Sequence, residues 1–521
     1  MKHNKIFRSC LVVMSCLLPA LATGADDYDG TVTVGYLYLD REGNQSVNQS
    51  TYNLYQGVEL SLERFSYRLD NGLNLSADIR NAALGNRNLS VGASKAGRWS
   101  ASLYHNAYRR LHDFGGHVEA KRYRSGGQIW WRAKPWLKAY GGINVNKKNG
   151  EMLTLFEGDE ADVASEVDFA YWSYHAGLTF QHLRKTAQIE YHGSDYTDNE
   201  NFANDRTTRR LRASVAAPVP NVENLTLNAG YQNFRLAIED REDTLTAHTL
   251  WGGARYNYRG GYTVRYSFIF DRTRRTGDLT DSDNITHAIY AGKSWMRRGG
   301  LTVGYRYRMN DDAFAERTGN GYFVSAWWRP IDKLNLRGGY GADDMSVNEG
   351  RTLTGKTERS RGWLSAQYKR EEGWIRVSLR NLQTDNDDIG SSTEYLRLGA
   401  DFSVEVPDYG SLTGSYSYGT GEYTNSSGEF EYNEHMIRGN ITSMEYRNVT
   451  LGFGGTYLRN REDLNIESFS VRFSGQYRFE KGWRLNATYT SHNFDNLDDP
   501  SPVYTEYYTD NIVQISLSYD L

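Results

Sequence analysis

The last eleven residues of the chain, Asn511 to Leu521, read N-I-V-Q-I-S-L-S-Y-D-L. Side chains alternate between the two faces of a strand, so this stretch predicts a two-faced ribbon. The apolar face carries Val513, Ile515, Leu517, Tyr519 and Leu521, and the polar face carries Gln514, Ser516, Ser518 and Asp520. A terminal strand of this kind is typical of a closed barrel, in which the last strand pairs with the first. We therefore expect Ile515, Leu517, Tyr519 and Leu521 to face lipid as a C-terminal insertion strand.

The composition fits a large barrel and excludes several other classes. The 521 residues include 51 Gly, 39 Tyr and 12 Trp but only 8 Pro, and aromatic residues reach 13%, which argues against disorder. Beyond residue 25 no stretch approaches the ~18 apolar residues of a membrane helix. The mean hydropathy of −0.68 still allows a membrane barrel, because half of each strand is polar. The net charge of −4 argues against a nucleic-acid partner.

Residues 1–25 are predicted to be a secretory signal peptide, and 26–521 a single barrel domain. Lys2, Lys5 and Arg8 form the basic start, and Leu11 to Leu18 form the apolar centre. Either Ala20 to Ala22 or Thr23 to Ala25 supplies the small residues for cleavage. A lipoprotein site at Cys16 is the weaker alternative, because apolar residues continue past it. Cys10 and Cys16 are the only cysteines. The predicted mature chain therefore has no disulfide and no C-x-x-C-H haem attachment.

Alternating runs fill the rest of the chain, separated in turn by short turns and longer polar loops. Asp70-Asn71-Gly72 is a strong hairpin signal, and the stretch from Lys148 to Ala164 is predicted to be a long acidic loop. Counting the runs predicts about 26 strands, an even number within the range of bacterial membrane barrels. A soluble β-sandwich array is the less favoured alternative, because it would not alternate long and short connections. Short turns in the periplasm and longer extracellular loops would place both termini in the periplasm.

Arginine marks the face that we expect to line the lumen. In the run from Tyr262 to Phe270, Arg265 opposes a face of aromatic and apolar side chains. An arginine at the bilayer midplane costs about 2–4 kcal/mol, so the arginine face should point inward. The predicted lumen-lining residues are Arg265, Arg306, Arg308, Arg397, Arg472, Gln476 and Arg478.

Tryptophans cluster near the predicted short turns and suggest an aromatic girdle at the headgroup level. They are Trp99, Trp130, Trp131, Trp136, Trp295, Trp327, Trp328, Trp363, Trp374 and Trp483.

No motif in the chain indicates catalysis or a bound metal. His105, His112 and His117 lie close in sequence but lack a ligand spacing such as H-E-x-x-H, so a polar loop is favoured over a metal site. His175, His182 and His192 show no defined relation. Acidic clusters that match no calcium loop occur at Asp159 to Asp162, Asp281 to Asp283 and Asp385 to Asp388. We expect no enzyme activity and no catalytic, cofactor-binding or metal residues in this chain.

Four segments within residues 52–116 carry a family resemblance. They are Tyr52 to Leu60 (YNLYQGVEL), Leu73 to Asp78 (LNLSAD), Ala83 to Val91 (ALGNRNLSV) and Gly97 to Tyr104 (GRWSASLY). This part resembles the N-terminal region of MtrB/PioB-type outer-membrane porins, the decahaem-associated barrels of porin–cytochrome electron conduits. The chain departs from some members in having no C-x-x-C near the predicted mature start, and it is shorter than the best-known ones.

The resemblance implies a sheath in the cell outer membrane. Such a barrel holds and insulates a periplasmic multihaem c-type cytochrome in its lumen, and usually a second multihaem cytochrome docks at the outer surface. The haem would belong to the partner, and the barrel would bind only protein and outer-membrane lipid. The alternative is a general diffusion porin or a transporter for oligosaccharides or other polar solutes. That alternative needs a loop folded into the lumen, for which Lys148 to Ala164 is the candidate.

Overall fold

The computed structural model describes residues 28–45, 53–112, 118–154, 163–201, 204–238, 243–276, 281–295, 298–312, 315–350, 356–386, 389–426, 428–463, 465–496 and 507–521. The predicted signal peptide, His117 and the acidic cluster Asp159 to Asp162 lie outside these ranges. Within them, no helix is both long and apolar enough to cross a membrane.

The described residues form one sheet of 26 antiparallel strands. The first thirteen are β1 (Tyr28–Gly43), β2 (Gly57–Arg68), β3 (Leu73–Arg80), β4 (Asn88–Lys95), β5 (Trp99–Leu111), β6 (Glu119–Lys134), β7 (Leu137–Thr154), β8 (Val163–His182), β9 (Lys185–Asp198), β10 (Arg206–Pro218), β11 (Leu225–Ile238), β12 (Asp243–Tyr258) and β13 (Tyr262–Arg275). The others are β14 (Ser282–Trp295), β15 (Gly299–Asp312), β16 (Ala315–Ile331), β17 (Leu334–Gly350), β18 (Thr357–Arg370), β19 (Gly373–Asn386), β20 (Ser391–Val406), β21 (Gly410–Asn425), β22 (Gly428–Ser443), β23 (Val449–Glu462), β24 (Ile466–Arg478), β25 (Trp483–Asn496) and β26 (Tyr508–Asp520).

Each strand pairs with the next strand in the chain, and the ring closes between β1 and β26. That closing ladder runs without a register shift from Thr31 opposite Asp520 to Gly43 opposite Tyr508. Closure leaves no unpaired sheet edge, which is how barrels avoid exposing backbone donors and acceptors. The predicted all-β up-and-down barrel of about 26 strands is confirmed.

The two ends of the barrel differ in their connections, as the sequence predicts. At the turn end, where odd-numbered strands from β3 onward begin, β12 and β13 are joined by a tight turn in which Gly260 and Gly261 have φ values of +81° and +82°. Glycine adopts these angles without the clash that a side chain would cause. The other end, where the even-numbered strands begin, is here called the loop end, and most of its connections are longer in the chain, as between Gly43 and Gly57.

Several strands extend further toward the loop end than their polarity suggests. The prediction of a loop from Lys148 to Ala164 is wrong for the described residues of this stretch. There β7 and β8 stay paired, from Leu137 opposite Phe180 to Thr154 opposite Val163. Polar side chains do not end a strand where its backbone groups remain paired with a neighbour. Residues 155–162 lie outside the described part of the chain.

The wall next to β1 is completed by irregular segments instead of strands. β3 and β4 have only eight residues each, and the pairing of β1 with β2 ends at Leu37 opposite Gly57. Beyond that point residues 53–56 bridge β1 and β5, because Arg41 and Arg109 both donate hydrogen bonds to the carbonyl of Leu54, at 3.3 and 2.8 Å. The region that carries the family resemblance therefore includes the patch between the first strand and β5.

Closure between β1 and β26 depends on small inward side chains. Thr33 and Ser518 share a buried hydrogen bond of 2.9 Å, and the Thr31 hydroxyl donates to Asp520 at 2.9 Å. A Cβ atom on Gly35 would lie 2.8 Å from both the carbonyl oxygen of Ile515 and the Cβ of Ser516. Any side chain at position 35 would therefore push the closing strands apart.

We expect Gly35→Ala to weaken the barrel by about 1–3 kcal/mol, the usual cost of overpacking. The control is Gly439→Ala, because a Cβ there has no neighbour within 4 Å. The measurement is the temperature at which the folded band disappears in heat-modifiability gels. Equal unfolding temperatures for the two variants would contradict the role of Gly35 in closure.

Candidate functional site

The two faces of the ring differ sharply in chemistry. Large apolar side chains recur in register on one face, as where Ile289 pairs with Tyr305 and Tyr305 with Tyr322. Many are highly exposed; the exposed fraction is 57% for Leu364 and 52% for Ile515. The opposite face is polar and lines a concave cavity of about 790 Å³ on the wall from β19 to β1. The concave face is the lumen, so the apolar face points outward, as in a membrane barrel.

The tryptophan girdle is confirmed only in part. Trp99, Trp131, Trp295, Trp328 and Trp483 share the outward face with apolar register partners. The prediction is wrong for Trp130, Trp327, Trp363 and Trp374, which share the lumen face. Neighbouring residues of a strand must point to opposite sides, so Trp130 and Trp131 cannot belong to the same belt.

A second belt lies on the outward face nearer the loop end. In each case a tyrosine hydroxyl lies within hydrogen-bonding distance of a polar group on the next strand. The pairs are Tyr231–His248 (2.6 Å), Tyr266–His287 (2.8 Å), Tyr305–Asn320 (2.7 Å), Tyr416–His435 (3.0 Å) and Tyr489–Asn511 (2.7 Å). The partner is never the residue directly opposite the tyrosine on the next strand. It is the residue two positions closer to the loop end on that strand.

The two belts bound an apolar band of bilayer height. On β26 the tryptophan belt near the turn end includes Tyr519, whose ring is 4.8 Å from that of Trp483. The tyrosine belt nearer the loop end includes Asn511 on the same strand. Their separation of eight residues corresponds to roughly 20 Å along the barrel axis at ~3.4 Å per residue and a tilt near 40°. An outward band of about 25 Å is typical of membrane barrels, so the belts mark where this chain would leave the hydrocarbon.

All the residues predicted to line the lumen lie on the polar face. Arg306 and Arg308 both pair with Asp343, the latter at 3.3 Å. Gln476 donates to Asn486 at 3.0 Å, and the remaining members are Arg265, Arg397, Arg472 and Arg478. Arg478 lies 3.1 Å from Glu445 near the turn end.

The lumen wall carries many more basic residues than the seven polar positions predicted from the sequence. By strand alternation they include Arg122, Arg124, Arg210, Arg212, Arg255, Arg337, Arg361, Arg376, Arg380 and Arg438. Carboxylates on this face of β6 to β24 are fewer and include Glu190, Asp198, Asp243, Asp271, Asp312, Asp343, Asp401, Glu405 and Glu434. The lumen wall is thus basic although the whole chain has a net charge of −4.

At two places on this wall, arginines on neighbouring strands face each other without a carboxylate between them. Arg255 stands directly opposite Arg265, and Arg380 directly opposite Arg397. Like charges at directly opposed positions destabilise a sheet. Such pairs are best tolerated where water or an anion can reach both guanidinium groups, as in a wide polar lumen.

The described histidines and aspartates of the predicted clusters do not come together in a group of three potential metal ligands. His175 and His192, which show no defined relation in the sequence, are direct register partners between β8 and β9; spacing in the chain does not reveal cross-strand register. His105 is hydrogen-bonded to Ser125 at 2.8 Å. Asp281 and Asp283 form ion pairs with Arg274 and Arg272. Over the described ranges, the only group of three potential ligands is the exposed set Glu422, Glu429 and Glu431.

Comparison with known proteins supports the fold. No family model and no curated protein matches the chain. Among solved structures it is similar to the FrpB iron transporter from Neisseria meningitidis (10% identity, 96% of this chain and 82% of that chain, TM-score 0.54). It is also similar to the siderophore receptor PirA from Acinetobacter baumannii (9% identity, 95% and 81%, TM-score 0.52). The chain therefore has the fold of an outer-membrane β-barrel, and the periplasmic placement of its termini stays a prediction.

The assignment of faces predicts opposite outcomes for two adjacent substitutions on β26. Ile515→Arg should place a guanidinium in the middle of the apolar band and cost about 2–4 kcal/mol. Gln514→Arg should be tolerated, because Gln514 faces the lumen and already donates to Glu59 at 2.6 Å. Urea unfolding of barrels folded into lipid vesicles measures both. Equal stabilities for the two variants would contradict the assignment.

Proposed function

We propose that this chain is an outer-membrane sheath that holds and insulates a multihaem c-type cytochrome. The observation that carries the proposal is the width of the ring. Strands lie about 4.8 Å apart and tilt by roughly 40°. A round barrel of 26 strands then has a backbone diameter of about 50 Å, and its inner side chains leave a passage of about 40 Å.

A passage of this width suits a folded protein better than a small solute. A 100-residue domain has a radius of gyration of about 13 Å, which corresponds to a sphere roughly 35 Å across. Barrels of ~16–18 strands already leave an aqueous channel. A selective pore built on this ring would need a further constriction.

The segment predicted to constrict the lumen does not do so over its described part. β7 and β8 remain paired as far as Thr154 and Val163, so this hairpin adds height to the wall. The described part of this hairpin therefore provides none of the constriction that a selective porin would need.

The chemistry of the two faces fits insulation. The outward face is apolar between its two belts, and the lumen face is polar and basic. A guest would therefore meet water-like polar groups while the wall separates it from lipid. The chain contains no C-x-x-C-H sequence, so covalently attached haem would belong to the guest. The resemblance of residues 52–116 to MtrB/PioB-type porins supports the same assignment.

Transport of a polar solute is the second candidate, and the structural comparisons favour it. The similar solved structures are named as an iron transporter and a siderophore receptor. Under this function the basic lumen would pass an anionic or polar solute, and the haem protein would be absent. The two candidates share the barrel and differ in what the lumen contains.

Haem staining after a pulldown separates the two candidates. The full chain, tagged at a loop and expressed in its own host, is extracted from outer membranes in mild detergent. We expect a c-type cytochrome to co-purify at near-equal stoichiometry and to resist added protease until the barrel is unfolded. An untagged strain is the control. A haem-free barrel that passes oligosaccharides into liposomes would overturn the sheath function and support transport.

A further inference from the structure

One cavity in the lumen wall combines unpaired arginines with hydroxyl groups. It has a volume of about 790 Å³ and lies on the lumen face between β19 and β1. Its basic members include Arg438 on β22 and Arg472 on β24. Both side chains are exposed, and neither has an ion pair with any residue in the described part of the chain. In contrast, Arg376 lies 2.8 Å from Asp401, a carboxylate at the edge of the same cavity.

The strand between the two arginines leaves room for a ligand. β23 separates them, and its Gly454 stands directly opposite Arg472. Gly454 also lines the cavity and has no side chain of its own, so the amide of its register partner Asn440 lies beside it, with Oδ1 3.1 Å from where a Cβ would be. A ligand over Gly454 would therefore contact this amide as well as the guanidinium groups. Arg438 and Arg472 are separated by two strand spacings across the sheet and by two residues along the strand direction. Both side chains can therefore reach the surface of a ligand that lies over Gly454.

Hydroxyl groups surround both arginines. Ser415 and Thr456 are the direct register partners of Arg438, and Thr490 is that of Arg472. Guanidinium groups only donate hydrogen bonds, and hydroxyl groups can donate. Apolar side chains such as Leu37 and Ile512 line other parts of the cavity, but the surroundings of the two arginines are rich in donors and positive charge. This part matches carboxylates, which only accept when ionised and bind arginine through two parallel hydrogen bonds.

We propose that this cavity is the docking site for carboxylate groups on an acidic face of the guest protein. The proposal rests on the sheath function and adds the chemistry of the contact. Charge complementarity argues for it, because the lumen wall is basic while the guest must stay bound without covalent attachment. The contact lies in a water-filled lumen, so it should weaken as ionic strength rises.

The test compares Arg438→Glu/Arg472→Glu with Arg255→Glu/Arg265→Glu in the full-length chain. Both double variants change the lumen charge equally, and the second acts on the distant wall formed by β12 and β13. Heat-modifiability gels establish that each variant is folded. Should either variant fail to fold, Arg438→Gln/Arg472→Gln and Arg255→Gln/Arg265→Gln replace the two, again with equal changes of charge.

The first readout is the amount of haem protein that co-purifies from native outer membranes. We expect the Arg438/Arg472 variant to retain less than a tenth of the wild-type amount at physiological salt, and the Arg255/Arg265 variant to retain at least half. Equal retention by the two variants would overturn the docking site while leaving the sheath function intact.

The second readout needs no guest. Purified barrels in planar bilayers are titrated with poly-L-glutamate, and the concentration that halves the conductance is measured. We expect this concentration to rise about tenfold for the Arg438/Arg472 variant and less than twofold for the other. Equal shifts would overturn the proposal of a local carboxylate site. A tenfold shift in a chain that never co-purifies haem would support carboxylate binding by the cavity and reject the cytochrome as its occupant.

Discussion

The structure depends on the requirement that every backbone donor and acceptor inside a bilayer be paired within the protein. A sheet meets it only by closing, and here the closing ladder joins β1 to β26 from Thr31 to Gly43. The small residues Gly35, Thr33 and Ser518 allow the two strands to approach at that point. Once the ring is closed, strand alternation assigns every second side chain to lipid and every other one to the lumen.

Two properties of the lumen follow from that ring and lead to the proposed function. The number of strands sets a width that suits a folded protein, and alternation collects arginines on the inner wall. The opposed pairs Arg255–Arg265 and Arg380–Arg397 show that the wall does not neutralise its own charge. A wide, basic lumen inside an apolar band is compatible with the proposed sheath and also with passage of an anionic solute, so the occupant of the lumen decides between the two candidates.

The sequence predicts most of the fold, because alternation and turn signals such as Asp70-Asn71-Gly72 are local. It does not predict how far strands continue once their side chains become polar, which is why the hairpin beyond Lys148 extends further than expected. It also does not give cross-strand register, so the pairing of His175 with His192 and the cavity shared by Arg438 and Arg472 emerge only from the structure. The family resemblance of residues 52–116 stays a prediction.

The most direct test of the sheath function is single-particle imaging of the complex isolated from native outer membranes. We expect protein density inside the ring, in contact with the wall formed by β22 to β24, with haem irons spaced along the barrel axis. A lumen that holds only solvent in particles isolated under the same mild conditions would show that the chain is not a sheath.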